Sequence, residues 1–229
     1  MKVMEPKTRN VCMFTNAPIF LLLISFSVFV QSVEKTTTKS PEDAYLTSDS
    51  ASLRLSQWRN LIRMKHRFRA ETDIVAVVDD FINKAKYQPD EQRLNGQDYW
   101  AAPKEFVAAG RGDCEDFAIA KLFTLQAMGV PVKRLRLVFT LLKGEKTRHL
   151  VLLYSPEDGS EPWVLDNLTT NIRVVSQRTD LQPVFSFTPK KIWMMKGWQQ
   201  TVELSRPLNL PKWTRITRNW QARLDEFTG

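Results

Sequence analysis

Cysteine and histidine are scarce in this 229-residue chain, which has two of each. Cys12 falls in an N-terminal segment that reads as a leader, so an exported mature form would keep Cys114 alone. A single cysteine cannot close an internal disulfide. In an oxidising compartment such a thiol is either buried and inert or kept for its reactivity. The two histidines, His66 and His149, show no paired ligand spacing, which argues against a zinc hydrolase. Internal repeats are absent, and the only compositionally biased stretch is the Thr-rich stub from Lys35 to Ser40, read as a flexible linker. The net charge of +8 comes without any RNA- or DNA-binding motif. Its densest cluster, Arg59 to Arg69, reads as the solvated face of an amphipathic helix. A composition of 43% hydrophobic and 25% charged residues is that of a globular chain and argues against disorder.

The one long apolar run, Ala17 to Val30, is too short for a comfortable membrane span. A basic segment precedes it, and Val30 and Ser32 stand at the small-residue positions before a cut. Polar sequence follows. This is the anatomy of a secretory signal peptide, with an uncleaved anchor as the alternative. The division expected is therefore a leader over 1–32, a linker over 33–43 and one domain over 44–229. The leader holds Lys2, Lys7, Arg9 and Glu5, a net +2, so the mature chain would carry 8 − 2 = +6.

The first half reads helical. Ile74, Val77, Val78, Phe81, Ile82 and Ala85 form one stripe at helical spacing, with Thr72 and Asp73 as cap candidates. "YQPDEQRLNGQDYW" contains Pro and Asn-Gly breakers and reads as a loop. Gly110 and Gly112 mark a turn. Cys114 to Met128 then reads as a helix, with Phe117, Ala118, Leu122 and Leu125 inward, ended by Gly129. After it the texture changes to short runs of branched and aromatic residues, "RLRLVFTLL", "HLVLLYS" and "EPWVLDNL", separated by turn sequences. An antiparallel sheet is expected from about Leu135 to Phe187, with a closing helix after Pro211. Helices followed by consecutive strands make an α+β domain.

Cys114 sits where the glycine turn meets a helix start. Unpaired N–H groups and the positive end of the helix dipole favour thiolate there, and can hold an oxyanion. His149 follows 149 − 114 = 35 residues later, and Asp166 lies 166 − 149 = 17 residues beyond it. Neighbouring antiparallel strands would bring the imidazole and the carboxylate together. A thiol needs a base, and the base needs a third group to hold its tautomer. Asn167 is the other candidate orienter, but strand alternation puts it on the opposite face from Asp166. His66 is assigned no catalytic role.

Three carboxylates, Asp113, Glu115 and Asp116, flank the cysteine. Anions beside a thiolate raise its pKa and weaken the nucleophile. Two readings stay open. A divalent cation with hard oxygen ligands, calcium outside the cytosol, would neutralise them. Alternatively, the acids simply favour the positive end of the helix.

"GDCEDFAIAK", then "RHLVLLY", then "WVLDNL", resembles the bacterial transglutaminase-like cysteine proteinases, the LapG-type periplasmic proteases. "YWAAPKEF" upstream and "RTDLQPVFSF" downstream are also similar to that family. The resemblance runs from about Tyr99 to Trp193 and departs at Ala102, where a residue such as Thr is expected. It implies a papain-like, transglutaminase-like core with N-terminal helices packed on an antiparallel sheet. It places a catalytic triad on Cys114, His149 and Asp166. It also implies calcium beside the nucleophile, on Asp113 and Glu115 with Asp116 as a further ligand. The implied function is a periplasmic endopeptidase that cleaves a large repeat-containing surface adhesin near its N-terminus, at a di-alanine-containing site. An inner-membrane cyclic-di-GMP receptor would inhibit it, and adhesin release would disperse biofilm. No nucleic acid is expected as a partner, and the membrane only through the signal peptide. The rival readings are a transglutaminase with the same three residues, which would yield a crosslink instead of a cut chain, and a non-catalytic transglutaminase-like binding module.

Overall fold

The computed structural model describes residues 49–93, 98–145, 147–169, 171–188, 191–204 and 211–223. The expected leader and linker, with Cys12, lie outside these residues. The described chain begins with α1 (Asp49–Arg63), which passes into a 3-10 turn (Met64–Arg67), and α2 (Glu71–Asn83). α1 turns Ala51, Leu55, Trp58, Leu61 and Ile62 inward, as expected for an amphipathic helix, and leaves Arg59 and Arg63 exposed. His66 is exposed in the 3-10 turn. The stripe read in α2 is confirmed at Val78 and Ile82, which are buried, whereas Ala85 lies beyond the helix end. The N-cap is Ala70 rather than Thr72 or Asp73; Asp73 instead accepts from the Ala70 N–H at 3.4 Å.

The segment expected to be all loop holds two short elements, β1 (Lys86–Tyr87) and α3 (Asp90–Arg93). α4 (Pro103–Ala109) follows, then β2 (Arg111–Gly112) and the long helix α5 (Cys114–Ala127). Proline occupies the first turn of α4, where its missing N–H costs nothing. Ala102 is the N-cap of that helix and supplies no side-chain cap. Glu105 accepts from the Ala102 N–H at 2.7 Å.

α5 was expected to bury one face. It is instead buried all round, with Gln126 the only residue of the helix left partly open. A helix enclosed on every side belongs to the middle of a core. Its polar residues are matched accordingly: Thr124 accepts from the Trp58 indole at 2.9 Å, and Lys121 lies 2.6 Å from Asp79.

The sheet has seven antiparallel strands in the order β6-β5-β4-β3-β7-β8-β9. They are β3 (Leu135–Leu142), β4 (Arg148–Tyr154), β5 (Trp163–Leu165), β6 (Arg173–Val174), β7 (Leu181–Phe187), β8 (Ile192–Lys196) and β9 (Gln199–Glu203). The sheet therefore extends past the expected end at Phe187 by one further hairpin, whose residues are mostly exposed. Strand alternation divides the central strands between two clusters. Leu137, Leu150, Leu152 and Leu165 pack toward the helices, and Val138, Val151, Leu153 and Val164 form a second cluster. The closing helix is α6 (Pro211–Arg223), as expected. Its Trp213 and Trp220 pack on Phe123 of α5, with ring centroids 5.8 and 4.9 Å away. This is an α+β domain with helices packed on an antiparallel sheet.

Candidate active site

Two backbone devices set the start of α5. Gly110, at φ 64°, is the left-handed C-cap of α4, a conformation glycine adopts without a Cβ penalty. The chain then pairs with β1 in parallel, with Lys86 N–H donating to Gly110 O at 2.9 Å and Gln88 N–H to Gly112 O at 2.8 Å. A Cβ on Gly112 would lie 2.5 Å from Asp116 Oδ2 and 2.8 Å from a Phe106 ring carbon, so only glycine fits. The turn thus presses against the first turn of the helix and seats Cys114 at its first position.

Cys114 and His149 are 0% exposed and Asp166 is 2% exposed. The Cys114 thiol donates to Glu115 Oε2 at 3.3 Å. Cys114 and Lys121 are two turns apart and so share a face of α5. Lys121 pairs with Asp79, which Asn83 links in turn to the Asp166 carbonyl.

His149 is the second residue of β4, paired with Thr140 of β3. Thr140 donates its hydroxyl to the His149 carbonyl at 3.1 Å. The register of β3 against β7 slips between Phe139 and Thr140, a bulge that re-aims the chain beside the histidine. The His149 Nε2 is 2.6 Å from Asp166 Oδ1. Its Nδ1 is buried with no hydrogen-bond partner. Asn167, the other candidate orienter, has neither side-chain oxygen nor nitrogen bonded, so the imidazole contact goes to Asp166.

Asp166 lies one residue past β5 and is held on several sides. Its Oδ1 also accepts from the Leu168 N–H at 3.0 Å, and its carbonyl accepts from the Asn83 amide at 3.1 Å. Arg178, which sequence reading did not single out, lies with Nη2 2.7 Å from Asp166 Oδ2, an ion pair set off the line of an ideal hydrogen bond. Burial alone would raise the Asp166 pKa. The His149 charge and hydrogen bond, then Arg178, outweigh it and hold the carboxyl well below the usual range. Behind this group Asn83 also donates to Asp79 at 3.1 Å, and Asp79 pairs with buried Lys121.

The carboxylates divide differently from the expected set. Asp90, Asp113 and Glu115 are all buried, and one ligand oxygen from each lies within 4.8 Å of the others. Asp116 is not in this group. Its Oδ1 accepts from the Ala101 N–H at 2.6 Å, which fastens the Tyr99–Ala102 segment over the helix start. The third acid, Asp90, comes from the stretch read as loop. Its only sequence clue was an acid placed after Pro89 in a turn-rich segment. Burial, then the charges of Glu115, Asp116 and Asp90, push the Asp113 pKa up to about 12. Burial and Asp116 likewise push Glu115 well above its ordinary value. Asp113 Oδ1 is buried without a donor. A set of buried hard oxygens with an unsatisfied acceptor fits a divalent cation of the calcium type.

Trp100, considered as cleft lining or core, is buried and stacks on Phe187 at 6.5 Å. It also borders an apolar cavity of about 260 Å³ with Phe139, Leu150, Phe185 and Phe187. The cavity therefore touches the residue next to His149. Arg215 of α6 lies over the Tyr99 ring at 4.5 Å and donates to its hydroxyl at 3.0 Å, so the closing helix holds this wall in place.

A family model described as bacterial transglutaminase-like cysteine proteinase matches residues 54–194. Three solved structures of Legionella pneumophila LapG are similar to the chain. The EGTA-treated form is 33% identical with a TM-score of 0.65, over 78% of this chain and 95% of LapG. The calcium-bound form is 36% identical with a TM-score of 0.64, over 77% of this chain and 94% of LapG. A third LapG structure is 34% identical with a TM-score of 0.64, over 78% of this chain and 94% of LapG. No curated protein sequence matches. The family match covers more than half of the chain and the LapG structures cover nearly all of their own length, so the chain belongs to the bacterial transglutaminase-like cysteine proteinases.

Proposed function

We propose that the protein is a calcium-dependent cysteine endopeptidase in which Cys114 is the nucleophile, His149 the base and Asp166 its orienter. The observation that carries this reading is the His149–Asp166 contact at 2.6 Å, which leaves Nδ1 buried and unbonded. An imidazole that donates Nε2–H to a carboxylate has Nδ1 as its basic atom. Nδ1 would take the proton of the Cys114 thiol as the sulfur attacks the peptide carbonyl. The first N–H groups of α5 would hold the oxyanion. The same nitrogen would then protonate the leaving amine, and water would release the thioester acyl group.

Asp90, Asp113 and Glu115 are the residues that would hold calcium. The bound cation would offset their negative charge beside the sulfur. The likeness to a calcium-bound LapG structure supports this assignment.

As proposed, the substrate is a large surface adhesin cleaved near its N-terminus, with release controlling biofilm. The enzyme would act in the periplasm, delivered by the leader and inhibited by an inner-membrane cyclic-di-GMP receptor. The family membership and the leader-like N-terminus are what support this.

The test incubates reduced protein with a candidate adhesin and reads the products by mass spectrometry. A cut chain is expected from the native protein and none from Cys114→Ala; cleavage by the alanine variant overturns the assignment. A crosslinked product instead of a cut would establish the transglutaminase reading. Because Cys114 and His149 are both fully covered, the site must open to admit a polypeptide. Iodoacetamide labelling of Cys114 in the folded protein measures that opening.

A further inference from the structure

We propose that Arg178 is a positioning residue for the reaction, locking the Asp166 carboxylate so that one oxygen is reserved for His149. This rests on the cysteine-proteinase reading above. Arg178 is 1% exposed, a rare place for a guanidinium unless it is paired. Its Nε and Nη2 each donate to Asp180 at 2.9 Å, yet Asp180 is half exposed and could be met at the surface. What a buried position adds is Asp166, with Nη2 2.7 Å from its Oδ2. Asp180 thus aims the guanidinium, and Asp166 is what it is aimed at.

The two oxygens of Asp166 have separate partners. Oδ1 takes His149 Nε2 and the Leu168 N–H, while Oδ2 has Arg178. Without Arg178, Oδ2 would be a buried charge with no partner, a costly state that rotation of the carboxylate or uptake of a proton would relieve. Either change disturbs the contact that sets the tautomer of His149. Arg178 opposes both, because it fills the second oxygen and stays charged at every working pH.

The test uses reduced, folded protein and two readouts, the rate of Cys114 labelling by iodoacetamide and the ring N–H proton resonance of His149. In the native protein the labelling should exceed that of glutathione, and the resonance should lie far downfield, as for an imidazole bonded to a carboxylate. Arg178→Gln should slow labelling by about 10- to 100-fold, the scale seen when the outer partner of a ligating histidine is lost, and should move the resonance. Arg178→Lys should be intermediate in both, since an ammonium supplies charge without the fork. If native Cys114 labels no faster than glutathione and the native protein cuts no candidate adhesin, the proteinase reading fails and the inference with it. If it labels fast and Arg178→Gln changes neither readout, Arg178 has no positioning role while the proteinase reading stands. Should Arg178→Gln fail to fold, the lysine variant decides, and an unshifted resonance there overturns the inference.

Discussion

Two groups of buried acids flank α5, and they are driven in opposite directions. Asp166 stands between an imidazole and a guanidinium, and its pKa is depressed despite full burial. Asp113 and Glu115 stand among other carboxylates, and their pKa values are raised. Burial pushes both groups upward, so the difference is made by neighbours. One group is complete within the chain. The other holds excess negative charge that a hard cation would balance.

The comparison can be broken most directly by neutralising one acid in each group. Asp166→Asn should lower kcat by about 10⁴-fold, the scale for losing the orienting carboxylate of a triad, measured on the cleavage assay. It should also lower stability, because its charged form is the favoured one. Glu115→Gln should do the reverse in cation-free protein, where its charged form is disfavoured, so melting temperature should hold or rise. A Glu115→Gln protein that melts lower without cation would show that the acidic group is already balanced.

Lys121 and Asp79 sharpen the same contrast on the far side of Asn83. Lys121→Met should cost about 3–5 kcal/mol by urea denaturation, because it leaves Asp79 buried without its cation. Adding Asp79→Leu should recover most of that loss. Calcium at 100 times its dissociation constant should add about 2.7 kcal/mol to the stability of the native protein. EGTA should remove the gain, and Glu115→Gln should abolish the response.

The smallest effect is on acid stability. A depressed folded pKa means that Asp166 contributes stability above the unfolded carboxylate value of about 3.9, lost as pH falls toward its folded value. Urea titrations below about pH 4 should show that limb in the native protein and a flatter one in Asp166→Asn. The raised acids have the opposite sign. In cation-free protein they favour the fold at low pH and weaken it as pH rises.

Much of the fold was legible because its signals are local. The stripe at Val78 and Ile82, the glycine turn at Gly110 and Gly112, and the branched runs of β3 and β4 each declare their element within a few residues. The β8–β9 hairpin was missed because it is mostly exposed and has no fully buried face to alternate. The all-round burial of α5 was missed because Lys121 and Thr124 read as solvent-facing; only their distant partners, Asp79 and Trp58, make them interior residues. In the candidate site, Cys114, His149 and Asp166 were singled out through their rarity, order and setting. Arg178 and Asp90 lacked such marks. One is an arginine among many, and the other an acid in a turn.

The amino-acid sequence by itself determined which residue types are present to do chemistry and which backbone positions turn. A thiol after a Gly-x-Gly turn, a histidine in one strand-like run and an aspartate at the end of the next, and acids at a helix start are all local facts. Only the tertiary structure decided which acid pairs with a cation and which meets other acids. Charge interactions depend on distances through space and on exclusion of water, and both are set when segments far apart in the chain pack together.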